Sequence, residues 1–272
     1  MPELPEVETV VRGLRPILVG HRLARVELHR GDLRKPFPEG LVQRLVGATV
    51  TGIERRAKYG LVATDRGDTM VFHLGMSGRM RLDPAEIGKH DHVVFTTEGR
   101  RVVAFHDARR FGSLDLVPTG AIGAYLPFAG LGPEPLSANL TPAHLQAAFA
   151  GRVAAIKPLL LDQRIVAGLG NIYACEALYL AGIDPRTPAG AVSPAKLRAL
   201  VPAIRRTLES AIAAGGSSLR DHVQVDGTLG YFQKQFCVYG REGEPCPDGN
   251  GTVARIVQGG RSTFFCSHRQ RG

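Results

Sequence analysis

The stretch Pro118–Pro135, PTGAIGAYLPFAGLGPEP, divides the chain into two halves with different patterns. Its prolines and glycines interrupt both helix and strand, which marks a linker. Before it, from about residue 22 to 117, come short runs rich in β-branched and aromatic residues. Examples are Leu61-Val62-Ala63-Thr64, Thr69-Met70-Val71-Phe72 and His92-Val93-Val94-Phe95-Thr96-Thr97, with turns such as Asp65-Arg66-Gly67-Asp68 and Glu98-Gly99 between them. They predict an all-β sandwich or barrel. One helix packs with it over 5–18, where Val7, Val10, Val11, Leu14 and Leu18 recur at helical spacing and Pro5 suits a first turn. After the linker the chain reads as helical. Thr141-Pro142 opens one helix, 153–163 and 171–181 form two more, and 193–214 a long one that Pro202 should kink or split. Residues 252–266 predict a β-hairpin turning at Gln258-Gly259-Gly260. The fold class is α+β in two domains, with no internal repeat.

With 272 residues, 44% of them hydrophobic, the chain can bury a sizeable core. Its net charge of +9 points to an anionic partner, of which nucleic acid is the commonest. No apolar run is long enough to span a bilayer, and the N-terminus lacks the basic segment and apolar core of a signal peptide. A cytoplasmic protein is expected. Four cysteines do not make a disulfide framework.

The N-terminus itself can be a reagent. An initiator methionine before proline is normally removed, which would leave Pro2 with a free secondary amine. An α-amine titrates near neutrality, with a pKa of roughly 7.7–8.0, so a useful fraction is nucleophilic. A secondary amine condensing with a sugar carbon gives an iminium with no N–H to lose, an electron sink suited to elimination. Glu3 lies beside it and Glu6 one helical turn on. One carboxylate could act as general acid or base and another could orient the amine, although Pro and Glu are also ordinary residues at a helix start.

Met1-Pro2-Glu3-Leu4-Pro5-Glu6-Val7-Glu8-Thr9 resembles the opening of the formamidopyrimidine-DNA glycosylase family. The resemblance recurs at Arg56-Ala57-Lys58-Tyr59, His73-Leu74-Gly75-Met76-Ser77-Gly78, Lys89-His90-Asp91-His92 and Asp107-Ala108-Arg109-Arg110-Phe111-Gly112. It continues at Asp162-Gln163, Gly168-Leu169-Gly170-Asn171-Ile172-Tyr173, Gly215 to Phe232 and Val238-Tyr239-Gly240-Arg241. It implies a catalytic β-sandwich domain with its helix over 1–117, a linker over 118–135, a helix-two-turn-helix DNA-binding domain with a lesion-capping loop over 136–228, and a zinc-finger-like hairpin over 229–272. It implies a monomer that excises oxidised purines, 8-oxoguanine and formamidopyrimidines, from duplex DNA and then cleaves the strand by β,δ-elimination. A place on the nucleoid, and no membrane partner, follow from that activity.

The resemblance also assigns roles. Pro2 matches the nucleophile at the deoxyribose C1′, Glu3 the proton donor to the sugar ring, Lys58 a second proton donor used in β-elimination, and Glu6 a structural carboxylate. A base inside a duplex must be extruded and its place filled. Met76, Arg109 and Phe111 match the intercalating set: apolar side chains wedge between base steps and an arginine bonds the orphaned partner base. Asn171 opens a helix, where free N–H groups suit a phosphate. Asn171, Lys157, His90 and Arg152 are expected backbone contacts. Arg261 matches the arginine of δ-elimination, and 216–227 a lid over the everted base.

The sequence departs from the family at its hairpin, which normally binds structural zinc through two C-x-x-C pairs. Here they read Cys246-Pro247-Asp248-Gly249 and Cys266-Ser267-His268-Arg269, so Cys246 and Cys266 are remnants of a four-cysteine site. No cofactor is required by the chemistry, and a zinc-free hairpin is expected. Packing by Val253, Ile256, Val257, Phe264 and Phe265 would hold it together. Cys246 and Cys266 should lie close, with free thiols the default in a reducing compartment. The rescue set Cys237, Cys246, Cys266 and His268 fits tetrahedral zinc poorly. Competing readings are an endonuclease VIII-type glycosylase for oxidised pyrimidines, a silent lesion-binding paralogue and a ribosome-type RNA binder. Leu4 and the lid-like loop argue against the first, intact Pro2, Glu3 and Lys58 against the second, and the β-rich half and wedge residues against the third.

Overall fold

A computed structural model describes residues 2–217 and 225–271. Helix α1 (Leu4–Leu18) forms where the apolar spacing puts it and buries Val7, Val10, Val11, Leu14 and Leu18. Strand β1 (Leu23–Leu28), the short helix α2 (Leu41–Leu45) and strands β2 (Val50–Arg56), β3 (Tyr59–Thr64) and β4 (Asp68–His73) follow. Then come β5 (Arg79–Leu82), β6 (Asp91–Thr97), β7 (Val102–His106) and β8 (Ser113–Pro118). The eight strands make two four-stranded antiparallel sheets, β1-β6-β7-β5 and β2-β3-β4-β8. Val26, Val93, Phe95, Val103 and Phe105 of the first share one core with Val50, Ile53, Val62, Met70 and Phe72 of the second, and with the buried face of α1. This is a sandwich with a helix on it. The hairpin between β2 and β3 turns at Ala57-Lys58, with Ala57 in the left-handed region at φ 51°.

After the linker come α3 (Pro142–Phe149), α4 (Ile156–Leu160), α5 (Asn171–Ala181) and α6 (Pro194–Ala213), then the hairpin β9 (Val253–Gln258) and β10 (Arg261–Cys266). Thr141 caps α3 by accepting the His144 N–H at 3.0 Å, and α5 ends at Gly182 with φ 66°. Helix α4 is much shorter than 153–163. Ala155 bridges to Pro188 and the Ile156 N–H donates to Thr187 O, so backbone pairing holds the chain extended until residue 156. Nor does Pro202 divide α6. Leu197, Leu200, Val201, Ile204, Leu208 and Ala211 are buried on both sides of it, and that burial outweighs a cost of ~3 kcal/mol for an interior proline. The hairpin turns where expected, with Arg261 paired to Gln258. Its packing differs in one respect: Val253, Phe264 and Phe265 are buried, but Val257 is 67% exposed because strand alternation turns it to the outer face with Arg255.

The chain forms two compact units, residues up to Ala129 with Ala214–Tyr231, and Gly130–Ala213 with Phe232 onward. The first boundary falls inside the expected linker. The second groups 214–231 with the sandwich, whereas the helical domain was expected over 136–228. Val225 explains why. It is buried in the sandwich core, its carbonyl accepts the Leu82 N–H at 2.8 Å, and it packs on Gly13, where a Cβ would lie 2.5 Å from its methyl. Among the described residues, no helix is long and apolar enough to cross a membrane.

Candidate functional site

In the sandwich unit, Pro2, Glu3 and Glu6 are all buried at the start of α1. The helix opens with a reciprocal capping box. The Glu3 N–H donates to Glu6 Oε2 at 2.8 Å, while the Glu6 N–H donates to the Glu3 carboxylate. The other oxygen of Glu6, Oε1, accepts from the Ser217 N–H at 2.9 Å and the Ser217 hydroxyl at 3.0 Å. One carboxylate therefore ties the Pro2–Glu3 peptide to the first residues of the 216–227 loop. Sequence reasoning missed Ser217, whose partner lies 211 positions away. Val225 anchors the far end of the same loop. Residues 218–224 of the expected lid over 216–227 lie outside the described residues.

Lys58 is buried in the β2–β3 turn. Arg55, two residues before that turn, donates from Nη1 to Ala57 O at 3.0 Å and from Nε to Glu8 of α1 at 3.1 Å, so the turn is tied to the helix that carries Pro2. Arg12 and Arg55 hold the Glu8 carboxyl below its usual range against the opposing effect of burial. His73 is held neutral, its pKa lowered to about 4, first by burial and then by the positive charges of Lys58 and Arg34. Its Nδ1 accepts the Gly75 N–H at 3.0 Å, which fixes the start of the Met76 loop.

The expected intercalating residues come together. Met76 and Phe111 are 39% and 42% exposed, unusual for large apolar side chains on one site. The Arg109 guanidinium lies 4.8 Å from the Phe111 ring centre. Their two loops touch through backbone: a Cβ on Gly75, at φ 63°, would stand 2.3 Å from the Phe111 carbonyl carbon. His90 is half-buried, its carbonyl accepting the Asp107 N–H at 2.9 Å and its ring 5.7 Å from that of His106.

In the second unit, Asn171 starts α5 and Lys157 lies in α4. Lys157 is 0% exposed and donates to Asn171 Oδ1 and Thr263 Oγ1, each at 2.6 Å. In this structure its ammonium lies beneath the surface, between Asn171 and Thr263. Its buried ammonium orients Asn171, whose amide donates to Ser262 O at 2.9 Å. Arg261 and Arg152 are exposed, the first at the hairpin tip. Glu176 of α5, which the sequence did not single out, accepts the N–H groups of Cys237, Val238 and Tyr239. Burial raises its carboxyl despite these bonds. The Val238-Tyr239-Gly240-Arg241 motif thus docks on the helix that begins with Asn171.

The donors at the terminal hairpin decide whether it can hold zinc. Among the described residues, Cys246, Asp248 and Cys266 place ligand atoms within 4.8 Å of one another. They do not fit a tetrahedral structural site. There are three donors rather than four, Asp248 is exposed, and both sulfurs are joined in a Cys246–Cys266 disulfide, with Cα atoms 6.1 Å apart. The two cysteines are as close as expected but bonded rather than free. The rescue set is not assembled: Cys237 sits by Glu176, where burial and that carboxylate push its thiol up to about 11, and His268 lies over Gly251. The two positions vacated by cysteine have other uses. Gly249 adopts φ 75°, and Arg269 donates to Tyr179 O at 3.0 Å with its guanidinium 4.9 Å from the Tyr179 ring centre. Gln270 adds bonds to Cys266 N and Ile183 O.

Residues 1–114 match the formamidopyrimidine-DNA glycosylase N-terminal domain, and 131–223 match the formamidopyrimidine-DNA glycosylase H2TH domain. Over 271 residues the chain is 64% identical to the formamidopyrimidine-DNA glycosylase of Novosphingobium aromaticivorans, covering 100% of both. The MutM (Fpg) protein of Thermus thermophilus superposes with a TM-score of 0.88 at 41% identity, covering 99% of this chain and 98% of that one. A point mutant of the Lactococcus lactis Fpg, solved in complex with DNA containing Fapy-dG, superposes with a TM-score of 0.92 at 34% identity, covering 100% of both chains.

Proposed function

Since this chain belongs to the formamidopyrimidine-DNA glycosylase family, we propose that it removes oxidised purines, formamidopyrimidines and 8-oxoguanine, from duplex DNA and then cuts the strand at the abasic sugar. The observation that carries the reading is the buried capping box, in which one oxygen of Glu6 holds the Pro2–Glu3 peptide while Ser217 fixes the other. Pre-positioning of this kind lets a single amine attack a single carbon. The neutral Pro2 nitrogen attacks C1′, the bond from C1′ to the base breaks, and the departing base takes up the proton that the Pro2 nitrogen gives up. Glu3 protonates the sugar ring oxygen as the ring opens, leaving an iminium on Pro2. Loss of a C2′ proton then expels the 3′ phosphate, with Lys58 as a proton donor, and a second elimination expels the 5′ phosphate, with Arg261 at that phosphate. Hydrolysis of the iminium frees Pro2.

Met76, Arg109 and Phe111 fill the space left by the extruded nucleotide, and Asn171, Arg152, His90 and Arg261 follow the backbone. The enzyme acts as a single chain on the cytoplasmic chromosome. The hairpin works without metal, closed by its cysteine pair and by Arg269 on the end of α5. Borohydride tests the chemistry. It should trap the enzyme on an 8-oxoguanine duplex, with the adduct at Pro2, and blocking the N-terminus should abolish trapping. An adduct on Lys58 with Pro2 unmodified would sink the assignment. Faster excision of thymine glycol than of 8-oxoguanine at matched enzyme would move the chain to the endonuclease VIII type.

A further inference from the structure

Asp107 is fully buried at the end of β7 and takes part in none of the chemistry above. Every segment that carries a wedge residue reaches it. Its Oδ1 accepts the Ser77 hydroxyl at 2.6 Å, next to Met76. Its Oδ2 accepts the Gly112 N–H at 2.7 Å, next to Phe111. Its own N–H donates to His90 O at 2.9 Å, and its carbonyl lies 2.8 Å from His92 Nε2. Ser77 completes the bracket, because its Oγ also accepts the Arg109 N–H at 3.1 Å.

A wedge works only if it is in place before the base leaves. Loops that had to find each other on DNA would lose ordering entropy at that moment. A charged acceptor with backbone donors in a buried site removes that cost in advance. The strained geometry agrees with a fixed arrangement. Arg110 is held at φ 59°, and the closeness of the Gly75 and Phe111 backbones leaves no room for a side chain.

We propose that Asp107 and Ser77 are positioning residues that lock Met76, Arg109 and Phe111 into one preassembled wedge, with the His90 backbone contact fixed beside it, and that this bracket sets how efficiently a lesion is drawn out of a duplex. The proposal rests on the wedge reading of those residues. It separates duplex-dependent steps from chemistry. Excision of 8-oxoguanine from a duplex needs extrusion and gap filling, whereas cleavage of an abasic site in single-stranded DNA needs neither.

The test compares single-turnover rates on both substrates for the whole protein and for Ser77→Ala, which deletes one oxygen. The ratio of duplex excision to single-strand cleavage should fall about tenfold, roughly the effect of one buried hydrogen bond. Ser77→Thr keeps the hydroxyl and should restore the ratio. An unchanged ratio in Ser77→Ala, a proportional fall of both rates, or no recovery with threonine would each overturn the bracket. The wedge and proline reading fails differently: the unaltered protein would then give no borohydride-trapped adduct on the single-stranded abasic substrate.

Discussion

Replacing Glu6 by glutamine changes almost nothing in shape and should cost a great deal. The carboxylate is 2% exposed, with Oε2 accepting the Glu3 N–H at 2.8 Å and Oε1 accepting the Ser217 N–H at 2.9 Å. Glutamine keeps one acceptor oxygen and puts an NH2 in place of the other. Whichever way the amide turns, one backbone N–H faces a donor. Losing a charge-assisted bond and leaving a buried donor opposed to another should cost about 2–3 kcal/mol. For a unit of this size that lowers the melting temperature by about 5–10 °C. The larger effect should be on capture. If the Pro2–Glu3 peptide moves by about 1 Å, the amine leaves its line of attack and the rate falls by about 10²-fold. Thermal melting and single-turnover borohydride trapping, run on Glu6→Gln and the unaltered protein, measure the two parts separately. A variant that melts with the unaltered protein and is trapped at the same rate would show that Glu6 does not hold the amine.

Arg261 is exposed at the hairpin tip, so Arg261→Ala should flatten the plot of log affinity against log salt by about one unit, whereas buried Lys157→Met should leave the slope alone and lower the melting temperature; equal slope changes would return Lys157 to the phosphate contacts. His73 has a folded pKa of about 4, below its ordinary 6.5, so the unfolded chain binds the extra proton between those values. Stability should be complete above about pH 6.5 and fall toward pH 4, by up to ~1.4 kcal/mol per pH unit, and a His73→Asn variant should lose part of that slope. Protein purified without chelator should hold far less than one zinc per chain, and chelation should leave activity intact. Reduction of the Cys246–Cys266 pair, which spans 20 residues, should destabilise the hairpin by about 3 kcal/mol. One equivalent of zinc with activity lost on its removal would refute the metal-free reading.

The parts of this fold legible in the sequence are those encoded by local period. Helix α1 buries the residues its spacing marks, and the hairpin turns at its paired glycines. Contacts between distant positions were not legible. Ser217 and Val225 both fell in the expected lid over 216–227, and neither shows locally that its partner is Glu6 or Gly13. Lys157 read only as an expected DNA-backbone contact for the same reason, since nothing beside it announces Asn171 and Thr263 as its acceptors. Asp107 and Ser77 lay inside quoted motifs, but a motif supplies residue types and not the direction in which a carboxylate points. Pro202 shows the converse failure. A local rule gave a break, and burial along the whole of α6 overrode it.

The exchange of ligands at the terminal hairpin also alters its electrostatics. Four thiolates around a divalent ion leave a net charge of about −2. Here the joined sulfurs of Cys246 and Cys266 are neutral, and one vacated position holds the cation Arg269. The hairpin that presents Arg261 to phosphates is thus more positive than a metal-bound version of itself by about three charges. At physiological ionic strength this field fades over about 8 Å, a range that covers the approach of a phosphate backbone to the hairpin. A hairpin closed by this disulfide therefore pulls more strongly at long range on a phosphate backbone than one built around four thiolates and a metal.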